Sequence, residues 1–141
     1  MTTRPSADVR REVIARAESL CEYCLLHQDY VASAHQVDHV ISEKHGGHTS
    51  ADNLALSCTA CNRRKGSDIG SIDPRTGSLT PLFNPRTENW RDHFRIDGVR
   101  IVGLTPQGRT TVEFLKLNSF ERQIERAELM RAGRFPPSRY S

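Results

Sequence analysis

Two CxxC pairs, Cys21-Glu-Tyr-Cys24 and Cys58-Thr-Ala-Cys61, constrain this chain more than any other feature, and they use all four of its cysteines. Two pairs with nothing left over match the arithmetic of a tetrahedral zinc site. Zinc accepts four thiolates, and a two-residue gap lets one tight turn aim both sulfurs at one ion. With sulfur in every position, such a zinc keeps no open coordination site and holds structure. The alternatives are two disulfides or a redox pair. Both suit the chain poorly, because its first twenty residues carry Arg4, Arg10, Arg11 and Arg16 and no apolar run. That stretch reads as neither a secretory signal nor a membrane span, so the expected location is cytoplasmic, where thiols stay reduced, with no membrane partner. A staple is also expected on composition. Hydrophobic residues make up 36% of the 141, against about 45–50% with glycine counted in an ordinary domain, so the core is thin. The net charge of +3 says little about partners; where the basic residues sit says more.

The length suits a single domain over 1–141. Ser6 can cap a helix over 6–19, with Val9, Val13, Ile14 and Ala17 on one face. Residues 34–41 read as a strand, and Gly46-Gly47 mark a turn in the loop that follows it. A short second strand covers 53–57, and a helix starts near Asn62 and ends between Gly66 and Gly70. Residues 73–85, rich in Pro, Gly, Thr and Ser, read as loop. Asp97-Gly98 between apolar runs signals a hairpin over 93–104. A last helix is expected over 110–132, with Leu117, Phe120, Ile124, Ala127 and Met130 facing inward and the mixed charges facing solvent. Trp90, His93 and Phe94 look like a packing cluster, and the tail with Arg134 and Arg139 like a loose basic arm or a disordered end.

Between the two cysteine pairs stand Val-Asp38-His39-Val-Ile, then Gly46-Gly47, then Asn53-Leu-Ala-Leu, and finally Cys58-x-x-Cys61-Asn62-x-x-Lys65-Gly66. In order and spacing this segment, roughly Cys21 to Gly66, resembles the HNH endonucleases of the ββα-metal superfamily, in the subgroup whose site is bracketed by a four-cysteine zinc. The resemblance implies an α+β fold. Its ββα-metal (His-Me finger) core, about 20–70, is stapled by the zinc. The N-terminal helix and a C-terminal hairpin-plus-helix extension, about 85–132, flank that core.

The residue types fit phosphodiester hydrolysis on their own terms. That reaction needs a base working near neutral pH, a hard cation, and positive charge on the phosphates. Imidazole is the side chain that titrates in that range, which points to His39. Asp38 offers a hard anionic oxygen and Asn62 a neutral amide oxygen, donors suited to Mg²⁺ or Mn²⁺. Neighbouring residues on a strand face opposite ways, so Asp38 and His39 can serve one site only where the strand ends. The resemblance then assigns roles. His39 becomes the general base, and Asn53 braces the loop that orients it. Asn62 takes the last position of the motif, usually a histidine, as metal ligand beside Asp38. Arg63, Arg64 and Lys65 form the one dense basic run and are expected to contact phosphate. Lys44, His45 and His48 lie in the glycine loop and read first as exposed loop residues. The expected partner is double-stranded DNA, cut to 5′-phosphate and 3′-hydroxyl ends. Two rivals share the cysteines without needing Asp38 and His39 side by side: a non-catalytic zinc-stabilised nucleic-acid-binding module, and a protein-interaction domain on a zinc scaffold.

Overall fold

The computed structural model describes residues 3–141; Met1 and Thr2, where the stretch read for a targeting signal begins, lie outside the described residues. The Ser6 hydroxyl accepts a hydrogen bond from the Val9 amide at 3.2 Å and starts α1 (Ala7–Arg16). The helix ends short of Ser19 because Glu18 and Ser19 both take positive φ. Val13 and Ala17 bury their side chains against Leu54 and Leu56. Those leucines belong to β2 (Leu54–Ser57), which pairs antiparallel with β1 (Gln36–His39); Gln36 stands opposite Ser57 and His39 opposite Leu54. β2 is buried along its whole length, with α1 packed over the pair.

Helix α2 (Thr59–Lys65) packs on β1 and completes a β-β-α unit. It starts earlier than the sequence suggested. Cys58 is its N-cap, with Sγ accepting from the Cys61 amide at 3.4 Å, so Asn62 sits within the helix and not at its start. The cap position itself carries a thiol where a hydroxyl or carboxylate is usual, which is why this start escaped sequence reasoning.

A hairpin follows α2, β3 (Gly70–Ile72) and β4 (Leu79–Pro81), whose turn and second strand fall in the 73–85 stretch read as loop. Asp73, fully buried, holds its turn together by accepting from the Arg75 amide at 3.0 Å and the Thr76 hydroxyl at 3.1 Å. It also takes two bonds from Arg109, at 3.2 and 2.8 Å, and that guanidinium pulls the carboxyl down to about 2. Next come α3 (Trp90–His93), the hairpin of β5 (Phe94–Asp97) and β6 (Arg100–Gly103), α4 (Pro106–Phe114) and α5 (Phe120–Arg131).

The expected single last helix is thus two. The chain breaks after α4 with Lys116 at φ 52, which drops Leu115 and Leu117 into the core. α5 also turns its other face inward: Phe120 is 76% and Ile124 47% exposed, while Arg122 and Arg126 are buried. One apolar cluster joins Trp90, Phe94, Phe83, Ile101 and Leu115 to the four cysteines. Trp90 donates to the Tyr23 carbonyl at 2.9 Å, and the expected Trp90–Phe94 packing is present, rings 5.0 Å apart. The tail is docked, not loose: Phe135 is buried, Tyr140 packs on Trp90 and Arg139 pairs with Glu18 at 2.6 Å. Among the described residues no helix is long and apolar enough to cross a membrane.

Candidate active site and metal centre

The four cysteines are buried and their sulfurs all lie within 4.8 Å of one another, with Cys24 and Cys58 Sγ 3.6 Å apart. A tetrahedron with zinc–sulfur bonds of about 2.3 Å has sulfur–sulfur edges of about 3.8 Å, so the spacing fits zinc and is far too long for a disulfide. Burial pushes the Cys21 and Cys61 thiols up, while hydrogen bonds from Cys21, Cys58 and Cys61 pull Cys24 down. Four buried sulfurs resist sharing negative charge, and a divalent cation at their centre removes that conflict. Cys21 and Cys24 come from the turn after α1, Cys58 and Cys61 from the start of α2, so the cluster ties the entry of the β1–β2 pair to its exit.

His39 ends β1 and is 5% exposed. Its Nε2 lies 2.8 Å from the Thr49 hydroxyl, leaving Nδ1 as the ring nitrogen without a protein partner among the described residues. Thr49 escaped sequence reasoning, since a hydroxyl ten residues downstream carries no spacing signal. The loop from 40 to 53 folds back on itself. Asn53 accepts from the Ile41 amide at 3.0 Å and donates to the Ile41 and His48 carbonyls, both at 2.8 Å. Gly46 takes φ 88, and Gly47 passes so close to Ile41 that an added Cβ would lie 1.8 Å from its carbonyl oxygen. Only glycine permits that approach.

On α2, Asn62 donates through Nδ2 to Gln36 Oε1, which leaves its own Oδ1 free of protein partners among the described residues. Gln36 and Asp38 share a face of β1 by strand alternation, so Asp38 is on the strand face that meets Asn62. Its carboxylate makes no hydrogen bond or ion pair among the described residues, and two open hard oxygens suit a divalent cation. Gln36, the anchor of Asn62, was not singled out in the sequence.

The basic run divides. Arg63 and Arg64 are exposed, but Lys65 is 3% exposed and donates to the His39 carbonyl at 3.3 Å. Burial lowers the Lys65 ammonium against the opposing pull of Asp38 and Asp68. It therefore braces the strand end, and any phosphate contact from this run falls to the two arginines. His45, His48 and Lys44 are exposed in the glycine loop.

Residues 21–68 match the family model described as HNH endonuclease. Over 118 residues, 82% of the chain, the sequence is 23% identical to Septu protein PtuB of Bacillus thuringiensis; the aligned stretch is 43% of that relative, so the chain spans less than half its length. No solved structure matches significantly.

Proposed function

We propose, with residues 21–68 matched as an HNH endonuclease domain as the premise, that this protein hydrolyses DNA phosphodiester bonds, with double-stranded DNA as substrate. The observation that supports this reading is the set of open polar atoms on β1 and the helix packed against it. His39 at the end of β1 has one open ring nitrogen, and Asp38 on β1 and Asn62 on α2 keep a carboxylate and an amide oxygen without protein partners among the described residues, on elements braced by Asn53 and Lys65. His39 Nδ1 takes a proton from the attacking water, while the Thr49 hydroxyl holds Nε2 and so fixes the ring. Asp38 and Asn62 Oδ1 would hold Mg²⁺ or Mn²⁺, which would supply positive charge to the phosphate and the departing oxygen. Asn53 keeps the loop from 40 to 53 in the shape that presents His39. Arg63 and Arg64, exposed on the same short helix as Asn62, take the neighbouring phosphates. The four cysteines hold zinc away from the reaction.

Supercoiled plasmid incubated with the purified protein in Mg²⁺, Mn²⁺ or EDTA, beside His39→Ala, tests the reading. Nicked or linear product that needs the divalent ion, and that falls at least about 10²-fold in a folded, zinc-loaded variant, is expected. Binding without cutting under either metal would favour the non-catalytic nucleic-acid module. Cutting unchanged by the substitution would remove His39 from the mechanism.

A further inference from the structure

The cysteine cluster is reached by a side chain from well outside the segment that carries the family match. Arg122, on α5, is 7% exposed. One terminal nitrogen donates to Cys61 Sγ at 3.1 Å and towards Cys58 Sγ at 3.8 Å; the other donates to the Leu115 carbonyl at 3.0 Å. A guanidinium keeps its proton at any accessible pH, and burial makes an anionic partner more favourable to it. The hydrogen-bond partners of Arg122 are a carbonyl and two sulfurs, with no carboxylate among them.

Neutral thiols or a disulfide would offer that charge no anion at its sulfur partners, leaving only the half-buried Glu125 one turn along the same helix to face it. Four thiolates around a divalent ion carry net negative charge and answer it. We propose that Arg122 is the outer partner of the zinc centre. Its N–H groups bond to the metal-bound thiolates of Cys61 and Cys58, offset their charge, and dock α5 on the metal. The proposal rests on the zinc reading of the cysteines and is independent of nuclease activity. It makes the metal a fastener of the C-terminal half as well as of the β-β-α unit, and it explains why α5 turns arginine inward.

Arg126 supplies the control. It is 1% exposed on the same helix, but its partners are the Val99 and Leu117 carbonyls at 2.7 and 2.6 Å and Asn118 Oδ1 at 3.0 Å, with no sulfur. Loss of Arg126 weakens the docking of α5 without touching the thiolates.

The test is zinc affinity of the full chain by competition with a chromogenic chelator, together with the thiolate-to-metal absorption of the cobalt(II)-substituted protein. Arg122→Met is expected to raise the zinc Kd about 10–100-fold, the range for lost outer partners of metal ligands, and to shift the cobalt bands. Arg126→Met is expected to lower thermal stability with zinc Kd and cobalt spectrum unchanged. If Arg122→Met does not fold, Arg122→Lys decides. It keeps the charge but loses the planar fork, so a smaller loss of affinity is expected.

A folded Arg122 variant with wild-type Kd and spectrum overturns the proposal. So does Arg126→Met weakening zinc as much as Arg122→Met, since the effect then belongs to helix docking. A wild-type chain that takes up no zinc and shows no thiolate–cobalt absorption overturns the zinc reading itself, and is recognised by appearing without any substitution.

Discussion

Two asparagines clamp two hairpins in the same way, and only one of them stands beside candidate chemistry. Asn53 accepts from the Ile41 amide and donates to the Ile41 carbonyl; Asn118 does the same to Ile101, at 2.9 and 2.8 Å. Each side-chain amide imitates a neighbouring strand. The hairpins differ in what lies between their strands. β1 and β2 are joined by residues 40–53, whereas β5 and β6 turn through Gly98 and Val99 alone. A long connection loses more entropy on closure and has many shapes open to it, so it needs cross-bracing to present one. Asn53 gives that brace with a third bond to His48 in the loop; Asn118 spends its spare capacity on Arg126 in the core. The amide clamp is therefore no mark of a catalytic site by itself. Its meaning depends on what the held segment carries: His39 in one hairpin, the fully buried Ile101 in the other.

The sharpest way to break the comparison is to remove each clamp. Asn53→Ala frees the loop that presents His39, and a displacement of about 1 Å at a reacting group costs roughly 10²-fold in rate. Plasmid cleavage is expected to fall by about that factor while the far-UV spectrum stays native. Asn118→Ala should act the other way round. It strands the backbone groups of fully buried Ile101 and one bond of Arg126, so a stability loss of about 2–3 kcal/mol is expected in urea titration, with cleavage by the folded fraction unchanged. Equal effects of both on cleavage would show that the two clamps serve one cooperative structure and that the distinction drawn between them is false.

The same division separates what the sequence disclosed from what it hid. The cysteine cluster, the Gly46-Gly47 turn and the Asn53 brace were legible because metal geometry and a glycine-only approach dictate residue type at fixed positions. The C-terminal half follows no such rule. The apolar stripe through Phe120 and Ile124 pointed to a buried face, yet Arg122 and Arg126 turn inward instead, onto the sulfurs of Cys61 and Cys58 and onto free carbonyls. Such a charge partner lies far away in sequence and leaves no period to read. The burial of Lys65 is hidden for a nearer reason. In sequence it runs on from Arg63 and Arg64, but on a helix it shares a face with Cys61 four residues back, and both are buried. The β3–β4 hairpin was hidden in a loop-like composition because its order comes from Asp73 and the distant Arg109.

The smallest expected effect tests the tight hairpin alone. Asp97-Gly98 was the turn signal, but Asp97 pairs with Arg100, so the turn is Gly98-Val99. Gly98 has φ 59, and an added Cβ would meet nothing within 4 Å. Gly98→Ala therefore pays only the backbone cost of a left-handed alanine, about 1–2 kcal/mol in urea titration. Cleavage should not change, since the turn is short enough to reclose in one shape and touches no residue of the β1 end. A larger loss, or any fall in cleavage, would mean that this hairpin is held by its turn as well as by Asn118, and that its strain reaches His39. The long hairpin should be insensitive to it.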